Sequence, residues 1–559
     1  MNLSWRAGSV ALIIAILPGV SLAQGAEPTD SAAAVDRIFA NWSSRQTPGC
    51  AVGVARNGQT LLERAYGMAN LEYDVPNTPA TIFEAGSVSK QFTAAAVVLL
   101  AQQGKLSLDD EVSKYIPELP DYEEPVTIRQ MLHHTSGLRD WGVVAAAMGW
   151  PRGSRAHTHA HVLDIVSRQE SLNYTPGTEH LYSNTNYNLA AIVVERVSGV
   201  SFAEFTRKNL FEPLGMTNTQ WRDDYTRIVK GRATAYGRGR QGGWGLDMPF
   251  EDVHGNGGLL TTVGDLLKWN ENFVRPRVGG VGFVRELQQK GRLASGRDIT
   301  YALGLYVSMY RGVPEVYHTG STAGYRAFLG RYPQQHLSIA VLCNGGNASP
   351  GALGRRVADV FLARQTQLAA RQAGEPGVTL PAEQIAEKAG VYRNLVTNEP
   401  MRLVVRDGKL HVDGGPELTP LSRTAFRTPS GTVGTFEFGA RGRPAILRLA
   451  MGDGDTVSYL VEESWTPTLA ELRRYVGEYA SNEAEATYRV TLEENGKLML
   501  RGRYGFASEL VPVYRHAFTA PQARAASVIL FRPDSRGRAA SMSVGMERVR
   551  ELVFRRVGR

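Results

Sequence analysis

The alternation of apolar and polar positions first predicts an α/β unit. Two strand-like stretches, CAVGVARNG and QTLLERAYG, are joined by an Asn-Gly pair of the kind that closes a β-hairpin. A long middle region carries helical signals and loops, as in TIRQMLHHTSGL and TTVGDLLKWNENFV. The stretches YALGLYVSMY, EVYHTGSTAGYRAFLGRYP and LSIAVLCNGGN then read as strands, before a last helix. Strands at both ends with helices between them predict a mixed or antiparallel sheet with a helical subdomain.

The pattern changes after the segment AGEPGVTLP, whose glycine and proline content is typical of a linker. Short alternating strands follow, and their sequence repeats. AGVYRN, RDGKLHV and LTPLSRTAF return in the same order as VGEYAS, ENGKLML and LVPVYRHAF. Two all-β copies predict two small β-barrels or sandwiches. The predicted units are 24–370 (α/β domain), 371–381 (linker), 382–466 (first β repeat) and 467–559 (second β repeat).

The N-terminus resembles a secretory signal peptide. Arg6 precedes the apolar stretch VALIIAILPGVSLA, and small residues stand at Ser21 and Ala23. We therefore expect residues 1–23 to be a signal peptide that is cut after Ala23, and the mature protein to be periplasmic or extracellular. An uncleaved anchor is the alternative, although the apolar stretch is shorter than the roughly 20 residues of a membrane span.

Composition narrows the classes of function. The chain has 559 residues, of which 43% are hydrophobic and 21% charged, so two to four ordinary globular domains are expected. The net charge of +8 comes from arginines spread along the chain, and no nucleic-acid motif accompanies it.

The two cysteines, Cys50 and Cys343, lie in strand-like segments. Buried free thiols are the favoured interpretation, and one bridge would form if the two strands are neighbours.

The first candidate for chemistry is the pair Ser87 and Lys90, at the start of an apolar helical run in EAGSVSKQFTAAAVVLL. Residues three apart share one face of a helix. A serine hydroxyl needs a base to become a nucleophile, and a lysine withdrawn from water has a lowered pKa and can accept the proton. The start of the helix offers N–H groups to an oxyanion. Alone, this spacing is weak evidence because most such pairs lie on protein surfaces.

Two further motifs strengthen this interpretation. Tyr182 and Asn184, in HLYSNTNYNLA, offer a phenol as proton carrier and an amide for a substrate, with a core tyrosine and a helix cap as the alternative. His318, Gly320 and Ser321 lie in HTGSTAG, within a predicted strand. A glycine inside a strand marks close approach of another backbone, and the N–H of Ser321 would complete an oxyanion hole; a turn or bulge is the alternative.

A metal site is a weaker hypothesis. The alternating histidines of HTHAH, residues 157–161, would lie on one face of a strand, but no convincing acidic residue accompanies them. No phosphate-binding or dinucleotide-binding motif is present in the sequence. We therefore expect neither a metal nor a cofactor.

The order S-x-x-K, Y-x-N, H-T-G resembles the serine hydrolases of the class C β-lactamase type, which include DD-peptidases, D-aminopeptidases and esterases. TIRQMLHHTSGL, VSGVSFAEF, FEPLGMTNT and GNGGLLTTVGDLLKW fit the same family, over about residues 35–365. The resemblance implies a β-lactamase/transpeptidase-like fold, an antiparallel sheet flanked by helices plus a helical subdomain. The tail of two small all-β domains resembles the layout of bacterial D-aminopeptidases.

The resemblance also implies a role for each candidate residue. Ser87 would be acylated by the substrate, and Lys90 would activate it. Tyr182 would carry the proton to the leaving group and then activate water; whether Lys90 or Tyr182 is the base stays open. Asn184 would bind the substrate amide. The oxyanion would lie between the backbone N–H groups of Ser87 and Ser321.

One departure bears on the substrate. Typical β-lactamases have Lys-Thr-Gly in the third motif, whereas this chain has histidine at 318, which is mostly neutral near pH 7. That argues against efficient β-lactam hydrolysis and for a peptidase or esterase. The leading hypothesis is an exported D-aminopeptidase-like enzyme acting on short D-amino-acid peptides. The alternatives are a DD-carboxypeptidase or penicillin-binding protein, an esterase, a weak β-lactamase, and a module that senses or binds peptidoglycan fragments.

Overall fold

The computed structural model describes residues 28–239, 241–370, 377–439, 442–450, 456–523 and 526–558. The predicted signal peptide, and residues 371–376 of the predicted linker, lie outside the described residues. The remaining chain forms one α/β unit followed by two all-β units.

Among the residues that the structure describes, thirteen strands belong to the first unit. In chain order they are β1 (Cys50–Arg56), β2 (Gln59–Tyr66), β3 (Met68–Asn70), β4 (Val75–Pro76), β5 (Phe83–Glu84), β6 (Gln220–Trp221), β7 (Tyr236–Arg238), β8 (Trp244–Leu246), β9 (Leu259–Thr261), β10 (Tyr306–Tyr310), β11 (Val313–Thr322), β12 (Tyr325–Tyr332) and β13 (Leu337–Cys343).

Its helices surround and interrupt these strands. They are α1 (Pro28–Ile38), α2 (Lys90–Gln102), α3 (Ile128–Leu132), α4 (Trp141–Ala147), α5 (His159–Ser167), α6 (Asn184–Ser198), α7 (Phe202–Thr206), α8 (Glu212–Leu214), α9 (Val263–Glu271), α10 (Gly280–Leu287) and α11 (Pro350–Ala370).

Six strands form the central sheet, in the order β10-β11-β12-β13-β1-β2, and every neighbouring pair is antiparallel. The N-terminal hairpin β1–β2 therefore completes a sheet that the C-terminal strands begin, which confirms the predicted closure of the unit by its two ends. Asn57 and Gly58 both have positive φ, 52° and 78°, as the tight hairpin turn requires.

Helices cover both faces of this sheet. Helices α1 and α11 pack on one face, and α9 packs on the other. Helix α2 is the predicted apolar run, and every residue from Lys90 to Leu100 is buried. Because a helix that is apolar all round must lie inside the protein, its first turn is held rigidly within the core.

The cysteines correct one expectation. Cys50 and Cys343 face each other across the β1–β13 pair, with Cα atoms 4.0 Å apart, and they form a disulfide rather than two free thiols. The sequence left this open because it does not state which strands are neighbours. Strand β1, the first of the sheet in chain order, pairs directly with β13, the last, so the bridge joins two cysteines that are 293 residues apart.

The two sequence repeats form two sheets. The first contains β14 (Gly390–Asn394), β15 (Pro400–Arg406), β16 (Lys409–Val412), β17 (Thr419–Pro420), β18 (Ala425–Arg427), β19 (Val433–Phe438), β20 (Pro444–Ala450) and β21 (Thr456–Glu462), preceded by α12 (Ala382–Ala386). The second contains β22 (Gly477–Ser481), β23 (Ala486–Leu492), β24 (Leu498–Arg501), β25 (Ala507–Glu509), β26 (Val511–Tyr514), β27 (Ala517–Thr519), β28 (Ala526–Pro533), β29 (Ala539–Met546) and β30 (Val549–Val557), preceded by α13 (Leu469–Leu472). We call these sheets barrel 1 and barrel 2.

The repeat is visible in contacts as well as in order. In each barrel the first strand pairs with the second strand and with the last strand. The tyrosine of the repeated G-x-Y motif donates a hydrogen bond of 2.7 Å to the carbonyl four residues before it, Tyr392 to Lys388 and Tyr479 to Tyr475. Leu418, which directly precedes β17, donates a backbone hydrogen bond to Leu410 of β16, so the two edges of barrel 1 lie next to each other.

Barrel 2 packs directly on the α/β unit, and the two share one continuous apolar core. A buried ion pair fastens the interface, because Arg139 donates a 2.5 Å hydrogen bond to the carboxylate of Glu483. Tyr488 donates to the carbonyl of Ala147, at the end of α4. Within the described part of the chain, no helix has the length and apolarity to cross a membrane.

Candidate active site

The nucleophile candidate lies on a turn that a neighbouring strand touches. Strand β5 leads into a short 3₁₀ turn, Gly86–Ser89, which continues as α2. Gly86 has φ +50°, and a side chain there would lie 2.6 Å from the backbone nitrogen of Ser321. A side chain at Gly320 would lie 2.0 Å from the carbonyl oxygen of Ala85. Two glycines thus let the Ser87 turn and strand β11 approach each other with only backbone between them.

Lys90 is fully buried behind Ser87. Its Nζ lies 3.2 Å from Ser87 Oγ, 2.9 Å from Asn184 Oδ1 and 2.7 Å from the carbonyl oxygen of Asn256. Burial lowers the pKa of Lys90 well below its usual value; the charge of Arg548 lowers it further, and the charge of Asp140 opposes this in part. A neutral amine has two N–H donors and one lone pair. The two carbonyl oxygens take the donors, which leaves the lone pair for the hydroxyl of Ser87.

Tyr182 lies beside both groups. The Nζ of Lys90 is 4.8 Å from the centre of the Tyr182 ring, and the imidazole of His134 packs against the same ring at 4.2 Å. Burial raises the pKa of Tyr182, and a hydrogen bond with Ser87 opposes that rise in part. The surroundings therefore favour a neutral phenol beside a neutral amine, with the hydroxyl of Ser87 in contact with both.

Asn184 is oriented by a carboxylate that the sequence analysis missed. Asp140 caps α4 by accepting from the backbone of Gly142 and Val143, at 3.0 and 3.3 Å. Its other oxygen accepts from the backbone N and the Nδ2 of Asn184, at 2.8 and 2.9 Å. Because its nitrogen is held by Asp140, Asn184 must turn its oxygen toward Lys90. The signal available in the sequence was a helix-capping aspartate directly after HHTSGLR.

Strand β11 carries the third motif along the edge of the cleft. Its neighbour β10 pairs only with Val313–Tyr317, so the edge from His318 to Thr322 is left without a partner strand on that side. His318 is buried, its Nε2 lies 3.1 Å from the hydroxyl of Tyr301, and its Nδ1 lies 2.5 Å from the carbonyl of Thr319. Burial lowers the pKa of His318 to about 3, so the imidazole is neutral.

Barrel 2 also contributes to the cleft. The turn between β29 and β30 places Glu547 and Arg548 along its wall. The guanidinium of Arg548 lies 5.0 Å from the centre of the Tyr182 ring and 3.8 Å from Asp140 Oδ2. Asn173 holds the turn, since its Nδ2 donates to the carbonyl of Arg548 at 3.1 Å. No sequence signal marked this turn, because it belongs to a different domain.

The cleft has a volume of about 890 Å³. Of the seven residues predicted for the site, Lys90 lies buried behind the cleft, and the other six line it: Ser87, Tyr182, Asn184, His318, Gly320 and Ser321. The structure therefore brings all seven together, although they come from three distant segments. Further lining residues were not anticipated, among them Arg152, Tyr306, Arg326 and Arg355.

The HTHAH segment lies elsewhere in the fold. His159 and His161 begin helix α5 instead of alternating along a strand, and Thr158 caps that helix. His159 packs against His254 with ring centres 4.2 Å apart. Among the residues that the structure describes, no three histidine, cysteine, aspartate or glutamate side chains are arranged to hold a metal ion.

Comparison with known proteins places this geometry in a family. Residues 33–363 match the family model described as Beta-lactamase. The chain is 28% identical over 303 residues to a D-aminopeptidase of Gluconobacter oxydans (strain 621H), a match that covers 54% of this chain and 57% of that relative. It is also 28% identical over 313 residues to penicillin-binding protein 4* of Bacillus subtilis (strain 168), with 52% and 66% covered. The matches thus span between about half and two thirds of these curated relatives.

Solved structures share the fold. An octameric penicillin-binding protein homologue from Pyrococcus abyssi superposes with a TM-score of 0.54 at 23% identity, over 77% of this chain and 99% of that chain. A D-amino acid amidase from Ochrobactrum anthropi SV3 gives a TM-score of 0.51 at 21% identity, over 60% and 99%. The predicted fold class is confirmed.

Proposed function

The chain belongs to the beta-lactamase family, and from that premise we propose that it is an exported serine hydrolase that cleaves amide or ester bonds through an acyl-enzyme on Ser87. The observation that carries the proposal is the set of hydrogen bonds around Lys90. Its Nζ donates to the carbonyl oxygens of Asn184 and Asn256 and lies 3.2 Å from Ser87 Oγ, so a neutral amine at this place would direct its lone pair to that hydroxyl. Burial and then the charge of Arg548 lower the pKa of that amine, against the opposing charge of Asp140, and so favour the neutral form that a general base needs.

The proton then follows a short route. As Ser87 Oγ bonds to the substrate carbonyl carbon, its proton passes to Lys90, which becomes an ammonium. The oxyanion lies between the backbone N–H groups of Ser87 and Ser321. The phenol of Tyr182 gives its proton to the leaving nitrogen or oxygen as the carbonyl–leaving-group bond breaks, and Lys90 restores that proton. Water then attacks the ester, and the reverse transfers release the acid and free Ser87.

This route assigns the base to Lys90 and the proton transfer to Tyr182. A tyrosinate would need a lowered pKa, whereas burial raises the pKa of Tyr182. Asn184 holds Lys90 from one side and lines the cleft on the other, where it can contact the substrate amide. Asp140 is a positioning residue, since it fixes which end of the Asn184 amide faces the amine.

For the substrate we propose a short peptide with a D-amino acid at its free amino terminus. The similarity to D-aminopeptidases supports this, as does a carboxylate at the cleft, that of Glu547, which is largely exposed and could meet a substrate ammonium. The neutral His318 offers no cation where a β-lactamase has its lysine, which argues against efficient β-lactam hydrolysis. Peptidoglycan fragments would be a natural source of such peptides.

A second candidate is a DD-carboxypeptidase. Arg326 lines the cleft near the open edge of β11 and donates to the carbonyl oxygens of Ala323 and Tyr325, so its charge could bind a substrate carboxylate.

Export is supported by the buried disulfide, since such bridges persist in oxidising compartments.

A substrate panel tests these proposals. We expect wild type to hydrolyse D-alanyl-p-nitroanilide faster than L-alanyl-p-nitroanilide, acetyl-D-Ala-D-Ala, p-nitrophenyl acetate or nitrocefin. Ser87→Ala should abolish turnover and covalent labelling by a fluorophosphonate. Full activity of that variant would refute the mechanism. A preference for acetyl-D-Ala-D-Ala that Arg326→Gln removes would favour the carboxypeptidase. A burst of acylation without turnover would favour a peptidoglycan sensor.

A further inference from the structure

A second cavity lies between the α/β unit and barrel 2, away from the cleft. It has a volume of about 380 Å³, within the range of small-molecule sites. The C-terminal end of α4 forms one wall through Ala146, Ala147 and Met148. Strands β23 and β29 form the opposite wall, where Val544 and Met546 are buried. Ligand sites occur preferentially at domain interfaces, and this cavity lies at one.

The inside and the rim differ in chemistry. The wall is mostly apolar, with methionine, valine, alanine and the ring of Phe506. Methionine adapts to varied apolar shapes. At the rim, Arg503 is exposed, and among the described residues no carboxylate forms an ion pair with it. A site with an apolar interior and one cation at its rim matches a ligand with an aliphatic tail and one negative charge.

The rim also carries an unusual residue. Tyr504 has φ +55°, a left-handed conformation that non-glycine residues rarely adopt, and its side chain is 69% exposed. The ring packs edge-on against Trp150, with ring centres 4.7 Å apart. A strained backbone that presents an exposed aromatic side chain beside an apolar cavity is typical of binding sites.

We propose that this cavity binds a free medium-chain carboxylate. The aliphatic tail lies against Met148, Val544 and Met546, and the carboxylate lies at the guanidinium of Arg503. The site is independent of the chemistry at Ser87. The cavity and the active-site cleft are nevertheless adjacent along the chain, because Met546 lines the cavity and Glu547, the next residue, lines the cleft.

The test uses sodium decanoate as the probe and the full chain as the protein. Isothermal titration should give one site, and saturating decanoate should raise Tm by roughly 3 to 5 °C. Decanol and acetate, which lack the charge or the tail, should bind at least about tenfold more weakly. Ser87→Ala should bind decanoate as wild type does, so failure of the proposed hydrolysis would not affect this result.

Three variants and one control variant locate the site. Arg503→Glu should weaken decanoate binding at least about tenfold, whereas Arg515→Glu, a matched change at an exposed arginine of barrel 2 outside the cavity, should not. Thr487→Trp replaces an exposed residue of the rim and should block the cavity without disturbing the core; Ala146→Trp should do the same from α4. Three results would overturn the proposal. Wild type does not bind decanoate, or both tryptophan variants bind it as tightly as wild type does. The third result is that the protein binds phosphatidylglycerol vesicles but not free decanoate.

Discussion

Replacing Arg548 by glutamine tests whether barrel 2 sets the charge state of the proposed base. Arg548 is the largest contribution after burial to the lowered pKa of Lys90. Glutamine keeps much of the side-chain volume and removes the charge. Without the neighbouring cation, the ammonium form of Lys90 becomes less unfavourable, so its pKa must rise. Since the neutral amine is the active form, the acidic limb of the kcat/KM profile must move to higher pH.

The structure supplies the magnitude. The Nζ of Lys90 and the guanidinium of Arg548 lie 4.8 and 5.0 Å from the centre of the same Tyr182 ring, so the two charges are within about 10 Å of each other. At that distance and an effective dielectric constant of about 20, their repulsion is about 1.7 kcal/mol, which corresponds to about one pKa unit. At pH values on the acidic limb, kcat/KM of the variant should therefore be about tenfold lower than that of wild type. At high pH, kcat/KM of the variant should approach the wild-type value.

The assay is kcat/KM from pH 5 to 10 on the best substrate of the panel, at two salt concentrations. Arg515→Gln removes the same charge from an exposed site on barrel 2 and should leave the limb in place. A limb that stays fixed or moves to lower pH in Arg548→Gln would refute the electrostatic argument, because the loss of a nearby cation raises the pKa of any ionisable group. A loss of rate at all pH values would instead mean that Arg548 binds the substrate.

Three further predictions concern the framework of the site. Gly320→Ala places a methyl group 2.0 Å from a backbone carbonyl and should lower kcat at least about a hundredfold by separating the two halves of the oxyanion hole, measured by steady-state kinetics; wild-type kcat would contradict the geometry. Glu483→Ala leaves Arg139 buried and unpaired and should lower the free energy of unfolding by about 3 kcal/mol in urea titration, more than the loss of an exposed ion pair would. Cys50→Ala/Cys343→Ala should cost about 2 to 4 kcal/mol, and a reductant should then have no further effect on Tm.

The sequence was sufficient where chemistry and local structure coincide. An apolar run behind Ser87 predicted a buried helix, and a lysine on its first turn has few structural reasons to be there. The glycine of HTGSTAG predicted a close backbone approach, which the structure places between Gly320 and Ala85. The repeat predicted two equivalent β units, and the same tyrosine contact recurs in both.

The sequence was insufficient where a contact joins distant segments. The pairing of β1 with β13 decides the fate of Cys50 and Cys343, and apolar patterns do not encode which strands are neighbours. Arg548 resembles any other exposed arginine of a β-turn until barrel 2 is placed on the α/β unit. HTHAH alternates as a strand would, yet a capping threonine starts a helix there instead.

His318 of the α/β unit and Arg548 of barrel 2 together affect the charge of the active-site cleft. A lysine at 318 would be buried beside Lys90. Because two buried ammonium groups would repel each other, that lysine would be charged only while Lys90 is neutral. Histidine avoids this conflict because it is neutral. Arg548, which is partly exposed and lies 3.8 Å from Asp140, adds a positive charge to the cleft beside those of Arg152, Arg326 and Arg355. A domain that the catalytic motifs do not include therefore contributes to the charge of the cleft.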